Sequence, residues 1–310
     1  MEQRVKQALS LWGMEGASAT LAAQRENHVY RVNHGPQSYA LRFHRPGYRT
    51  EAELLSELDW CHYLAGHDLH VPRPEPDCAA NPLPKIGDTY VSLLPWLSGT
   101  PIGEGTEITG DANAMTFRVG HEMARLHDLT DRWQRPPTFT RPDWTCEALV
   151  GDTPLWGPFW DHPDLSPDEV ALLQDARTAA RRDMALVSED TGLIHADILA
   201  ENLLLDEDHL CLLDFDDSAT GYRAFELATF LLRYVERPDF AELSSAIIDG
   251  YSIRRRIEQD ELSLALLLRA LTYVGWIIPR RHEPGGATRS KRMIARATRL
   301  AQSYLNRRPL

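Results

Sequence analysis

Asp197, Asn202 and Asp214 are the residues whose types and spacing could do chemistry. The first two lie in Leu193-Ile194-His195-Ala196-Asp197-Ile198-Leu199-Ala200-Glu201-Asn202, and the third in Leu213-Asp214-Phe215-Asp216. An acid, an amide and a second acid in this order suit phosphoryl transfer. The migrating group needs little covalent help from the protein, so the task is positioning plus neutralisation of phosphate charge. Asp197 can orient and deprotonate a hydroxyl. Asn202 and Asp214 can hold Mg²⁺ on ATP phosphates, because hard cations take oxygen ligands.

The elements around them fit that task. Leu193-Ile194 is a short apolar run feeding a polar loop, and Leu203-Leu204-Leu205 resumes the run. Asp206-Glu207-Asp208-His209 reads as a turn, and Leu210-Cys211-Leu212-Leu213 returns as a second strand. Asn202 then stands at the mouth of one hairpin strand and Asp214 at the end of its partner. Antiparallel neighbours lie roughly 5 Å apart, so both can reach one cation. A hairpin with merely solvated acidic ends is the plain alternative. Three suitable residues in order, each bordering an apolar run, argue against it.

His195-x-Asp197-x-x-x-x-Asn202, Asp214-Phe215-Asp216, Gly221 and Glu226-Leu227-Ala228 together resemble the aminoglycoside phosphotransferase and choline kinase-like family. The resemblance implies a protein kinase-like α+β fold of two lobes, a small N-terminal β-sheet lobe and a larger α-rich C-terminal lobe. It also implies ATP and Mg as cofactors, Asp197 as catalytic base, and Asn202 and Asp214 as metal ligands. Glu226 stands where the family usually has Asp. Asp216 replaces the Gly of protein kinases, as is common in the small-molecule branch. The family holds homoserine-, choline- and aminoglycoside-type kinases and a bacterial stress-response Ser/Thr protein kinase branch, which these motifs do not separate. The preferred acceptor is a small-molecule hydroxyl, with a protein acceptor left open. A nucleotide-binding pseudokinase acting as a regulatory module is a third reading, against which the retained Asp197, Asn202 and Asp214 speak.

The N-terminal third can be read against the same resemblance. Residues 29–32 and 38–43 read as strands joined by a Gly-Pro turn. A helix follows from Thr50, with Glu53 completing a capping box; it carries Leu54, Leu58, Cys61, Leu64 and also Glu57 on one face. In kinase-like lobes a lysine from the third strand grips the phosphates and a helix Glu orients it. The chain has only three lysines among 33 basic residues, none on a suitable strand. Arg42 takes the place, paired with Glu57 or, less favoured, Glu53. Arginine is planar and bidentate, so it can hold two phosphate oxygens. No Gly-rich phosphate loop is present; Gln24-Arg25-Glu26-Asn27 would cover the nucleotide, with Asn27 contributing to its site. A strand at 89–94 leads to a hinge at 95–99, placing Leu94 and Trp96 beside the base.

Residues 71–76 form a proline-rich connector, and helices are expected at about 5–12, 112–129, from Ser166-Pro167, and at 239–253, 258–278 and 291–306. The stretch 132–165 breaks periodicity and carries several large aromatics, among them Trp133, Trp144, Trp156, Phe159 and Trp160, of which Trp156 and Trp160 could wall a cationic or amphiphilic acceptor. Equally, those rings could only fasten an irregular insert to the helical lobe. His195 is expected to hold Asp197 in place rather than shuttle protons. Asp217 and Glu226 read as structural or acceptor-side acids, and Asp216 as a supplement to the metal shell. The division is 1–97 for a nucleotide-binding lobe with its hinge and 98–310 for a catalytic and acceptor-binding lobe.

Composition sets the remaining bounds. Net charge −12 argues against nucleic acid or an anionic membrane as partner. The longest apolar run, 264–278, is broken by Arg269 and stopped by Pro279, so it reads as a core helix. Cys61, Cys78, Cys146 and Cys211 lack disulfide or metal spacing and read as reduced, mostly buried thiols of a cytoplasmic protein. Arg289, Lys291, Arg292, Arg296 and Arg299 read as a solvated helix face.

Overall fold

The computed structural model describes residues 2–24, 27–185 and 190–306. In chain order its first elements are α1 (Glu2–Leu11), β1 (Ser18–Gln24), β2 (His28–His34), β3 (Gln37–Phe43), α2 (Glu51–Ala65), β4 (Lys85–Ile86), β5 (Thr89–Pro95) and β6 (Thr100–Pro101). Then come β7 (Gly103–Glu104), β8 (Glu107–Ile108), α3 (Ala112–Arg132), α4 (Cys146–Val150), α5 (Pro167–Met184) and β9 (Thr191–Ile194). The remainder is β10 (Leu203–Asp206), β11 (His209–Leu212), β12 (Ala219–Tyr222), α6 (Arg223–Leu231), α7 (Phe240–Ser252), α8 (Gln259–Ile277) and α9 (Gly286–Leu305). The α+β class read from the sequence is what the structure shows.

Two compact units emerge, and they are not one cut of the chain. The first comprises Met1–Pro101, Arg132–Arg141 and Asn202–Asp216; the second comprises Ile102–Asp131, Pro142–Glu201 and Asp217–Leu310. The expected division at 97/98 therefore differs in two ways. The first break falls after Pro101, because β6 pairs with β10. The chain also returns twice, because a loop and a hairpin pack with the sheet unit. Neither return leaves a compositional mark in the sequence.

In the first unit an antiparallel sheet runs in the order β1-β2-β3-β5-β4. One face presents Tyr30, Val32, Leu41, Phe43, Val91 and Leu93, which close on Val5, Ala8 and Leu9 of α1. The other presents Ala40 and Leu94 to Leu54 and Leu58 of α2, with Leu83 beside them. Side chains alternate along a strand, so Arg42 follows Ala40 onto the α2 face. Helix α2 starts where its capping box predicts: Thr50 accepts from the Glu53 N–H, and the Glu53 carboxylate accepts from the Thr50 N–H. Strand β1 was not expected. It is an edge strand with almost every side chain exposed, so no buried period marks it.

The second unit is built around α8, whose residues are buried on nearly every side. The stretch Gln259–Arg280 is long and apolar enough to cross a membrane, but its most apolar part is mostly buried inside the protein, as befits a core helix. Helix α6, all of whose residues except Ala224 are buried, is not among the helices expected from the sequence. Helix α9 begins five residues earlier than expected. Lys291, Arg292 and Arg299 on it are exposed as anticipated, while Ser290 is buried against His162 and Asp164. The four thiols are free, with Cys61 and Cys211 buried but Cys78 exposed, which corrects the mostly buried expectation.

Candidate active site

Arg42 and Glu57 meet in the first unit. The Arg42 Nη1 lies 2.6 Å from Glu57 Oε1, and the residues are only 6% and 2% exposed. Glu53, the other partner weighed for Arg42, is spent on the α2 cap. Burial alone would make Arg42 give up its proton more readily; Glu57, then Asp216 and Asp214, outweigh this and fix the charge. Burial likewise favours protonated Glu57, but Arg42 and then Arg141 hold its carboxyl below the usual range. His44 is pushed down to about 3 by burial and by Arg42, so it is neutral and meets Ser92 Oγ at 2.9 Å.

The second nitrogen of Arg42 matters most. Nη2 is buried and makes no hydrogen bond among the described residues. It stands 3.9 Å from Oδ1 of Asp214 and 3.9 Å from Oδ1 of Asp216. A buried cationic donor without an acceptor is costly, and a phosphate oxygen is the group that would satisfy it. Asp214 is itself 56% exposed, with a backbone φ of 65°. Asn27 donates to Asp216 Oδ2 at 3.3 Å and accepts from the Arg45 N–H. Arg25 and Glu26 of the expected nucleotide loop lie outside the described residues.

The expected hairpin is present. Leu203 pairs with Leu212, and the Leu213 N–H donates to the Asn202 carbonyl at 2.9 Å. Asn202 and Asp214 therefore flank adjacent strand ends. Among the described residues no three His, Cys, Asp or Glu side chains gather as a metal cage. A divalent ion would draw on Asn202, Asp214 and oxygens it brings with it, which is the habit of Mg²⁺ beside phosphates.

In the second unit, Asp197 follows a loop pinned from beneath. The buried Glu226 accepts from the N–H groups of His195 and Ala196 at 2.5 and 2.9 Å. Burial raises its pKa, against the pull of His195 and these two amides. His195 Nδ1 accepts from the Asp197 N–H at 3.3 Å. Arg269 was noted in the sequence only as a break in an apolar helix. Its Nη2 lies 3.5 Å from Asp197 Oδ1 and 2.9 Å from the Tyr273 hydroxyl. Its guanidinium packs over the Phe225 and Tyr273 rings. An arginine inside an otherwise apolar helix is the signal that could have found it.

Other expected residues scatter. Leu94 is buried beneath α2, and Trp96 is partly exposed under the Arg31 guanidinium. The Trp96 N–H donates to the Ser38 carbonyl, and the Leu93 carbonyl accepts from the Glu75 N–H. Trp156 packs edge-on to Trp144, and Arg177 covers Trp160. Asp217 ends a 3-10 turn and is half-buried.

Residues 19–267 match the phosphotransferase enzyme family, and the chain belongs to it. A solved microcompartment-associated aminopropanol kinase shares 28% identity, with a TM-score of 0.87 over 99% of this chain and 98% of that one. The amicoumacin kinase of Bacillus subtilis (strain 168) is 23% identical over 75% of this chain and 67% of its own length. A solved amicoumacin kinase in complex with AMP-PNP, Ca²⁺ and amicoumacin shares the fold at 20% identity, with a TM-score of 0.76 over 99% and 94% of the chains. The resemblance read from the motifs is thus borne out, and with it the kinase-like fold.

Proposed function

We propose that this phosphotransferase moves the γ-phosphoryl group of ATP, with Mg²⁺, to the hydroxyl of a small amino alcohol. One observation carries the nucleotide half of this reading: the buried Arg42–Glu57 pair leaves Arg42 Nη2 unbonded beside Asp214 and Asp216. Arg42 would hold phosphate oxygens with Nη2 while Glu57 fixes Nη1. Asn202 and Asp214 would hold the metal, which neutralises phosphate charge when bound. Asp197 would accept the proton of the acceptor hydroxyl as the oxygen attacks phosphorus. His195 and Glu226 keep the Asp197 loop in place, and Arg269 balances the carboxylate charge. The amino alcohol as acceptor class is supported by the full-length likeness to the aminopropanol kinase. Free thiols suit a reducing cytoplasm.

The test is a panel of amino alcohols, amino acids and aminoglycosides assayed for ADP release, run beside intact-mass detection of autophosphorylation. Turnover with an amino alcohol supports the reading, and phosphate added only to protein would replace it with a protein kinase. Asp197→Asn is expected to keep fold and ATP affinity while losing at least about 10²-fold in turnover, as general-base loss does. Near wild-type turnover by folded Asp197→Asn removes Asp197 from that role.

A further inference from the structure

We propose that Arg141 is a positioning residue that locks the loop carrying Asp214 to helix α2, so that the metal ligand and the Glu57–Arg42 pair are held as one rigid piece. The inference rests on the reading of Asp214 as a metal ligand. Residues Arg132–Arg141 belong to the first compact unit, although the segments on both sides belong to the second. Their anchorage is on α2. Trp133 stacks on Tyr63 with centroids 5.4 Å apart, and the Thr140 N–H donates to Ser56 Oγ at 2.9 Å.

The strap ends in Arg141, which is 7% exposed. Its Nη1 donates to the Glu53 carbonyl at 3.1 Å, one turn before Glu57. Its Nη2 donates to the carbonyls of Phe215, at 3.4 Å, and Asp216. These are the carbonyls of the two residues directly after Asp214. One planar cation thus bridges the helix that orients Arg42 and the loop that presents the metal ligand. A forked guanidinium can serve three carbonyls from two elements, and a lysine ammonium cannot match that geometry. Asp214 needs such support, because its φ of 65° is a conformation that non-glycine residues rarely hold. Arg141 also stands, after Arg42, among the charges that keep Glu57 ionised.

A residue that merely stabilises the fold would weaken nucleotide binding with and without metal alike. A residue that sets the Asp214 loop acts on the metal-dependent part. The experiment is calorimetry of the full chain with ADP, with and without Mg²⁺, for wild type, Arg141→Gln, Arg141→Lys, Ser56→Ala and Asp214→Ala. Hydrogen exchange of the amides at 215–217 is followed in the absence of nucleotide. Arg141→Gln is expected to change Mg²⁺-free ADP affinity by less than about threefold. It should erase about tenfold or more of the Mg²⁺-dependent gain and speed exchange at 215–217. Arg141→Lys should fall between it and wild type. Ser56→Ala, which removes the Thr140 anchor together with the hydroxyl's bond to the Ala52 carbonyl inside α2, should move both readouts the same way by less, and it carries the test should Arg141→Gln not fold. A full Mg²⁺ gain and unchanged exchange in folded Arg141 variants, or in Ser56→Ala alone, would overturn the lock while leaving the metal assignment intact. If Asp214→Ala also keeps the Mg²⁺ gain, the metal assignment itself falls and the lock with it.

Discussion

Removing either member of the Arg42–Glu57 pair is expected to have unequal costs, and the inequality can be worked from the surroundings. Without Glu57, Arg42 still faces Asp214 and Asp216 at 3.9 Å each. Glu57→Gln therefore forfeits mainly one hydrogen bond between charged groups, about 1.5–3 kcal/mol. Without Arg42, Glu57 keeps Arg141 as its principal cation, His44 is neutral, and its buried carboxylate is left without its 2.6 Å partner. Arg42→Met should cost about 3–5 kcal/mol, as breaking a buried pair does.

The pH dependence sharpens this. In the wild type the Glu57 carboxyl is held below its usual range, so its contribution is present above the unfolded value of about 4.3 and is lost as pH falls through the folded value. In Arg42→Met, burial prevails and the folded value rises above the unfolded one. The sign then reverses: the contribution is present at low pH and is lost as pH rises through the raised value. Urea denaturation at pH 5 and pH 8 should show a smaller Arg42→Met penalty at pH 5. The double variant Arg42→Met/Glu57→Gln should cost less than the sum of the singles, by about 0.5–3 kcal/mol. For ADP affinity, Arg42→Lys should lie between wild type and Arg42→Met, since it keeps the charge and loses the fork. Equal single penalties, one common pH slope and additive doubles would refute the reasoning.

Asp214→Ala should abolish Mg²⁺-dependent nucleotide binding and Asn202→Ala should weaken it less, since a carboxylate brings more charge to a hard cation than an amide does; calorimetry with ADP ranks the two, and the reverse order would speak against the assignment. His44, at about 3 in the folded chain against an ordinary 6.5, leaves the unfolded chain with more bound protons between those values. Stability should therefore rise with pH across that window, by at most about 1.4 kcal/mol per unit from this group. His44→Gln should remove that part of the slope, and an unchanged slope in chemical denaturation would show that His44 is protonated in the fold.

Local signals carried far. Thr50 and Glu53 announce α2 because a capping box is written in adjacent residues, and Leu203 to Leu213 announce a hairpin for the same reason. Arg42 and Glu57 could be paired because a strand alternates and a helix has faces, so each position implies a direction. What depends on distant chain returning to a unit was not legible. Residues 132–141 have no period, and they were grouped with an acceptor-side insert although they pack on α2. Arg269 stood in plain view as a charge inside α8, but only the fold shows that it meets Asp197. Glu226 reads in the sequence as a structural or acceptor-side acid standing where the family usually has Asp, and only the fold shows it accepting from two amides.

Those two amides connect the candidate base to the candidate metal ligand through one physical problem. Ala196 and Asp214 both have positive φ, at 69° and 65°, and neither is glycine. Such residues cost of order 1–3 kcal/mol each and persist only where their surroundings over-determine them. The chain meets the problem with opposite charges in its two units. Before Asp197, the strained turn leaves amide hydrogens inward, and a buried carboxylate, Glu226, takes two of them. After Asp214, the strained turn leaves carbonyls inward, and a buried guanidinium, Arg141, donates to two of them. Hydrogen bonds to charged groups contribute about 1.5–3 kcal/mol apiece, so each clamp outweighs the strain it holds. The side chains of Asp197 and Asp214 stay partly exposed, as residues that must reach a substrate hydroxyl and a metal ion require.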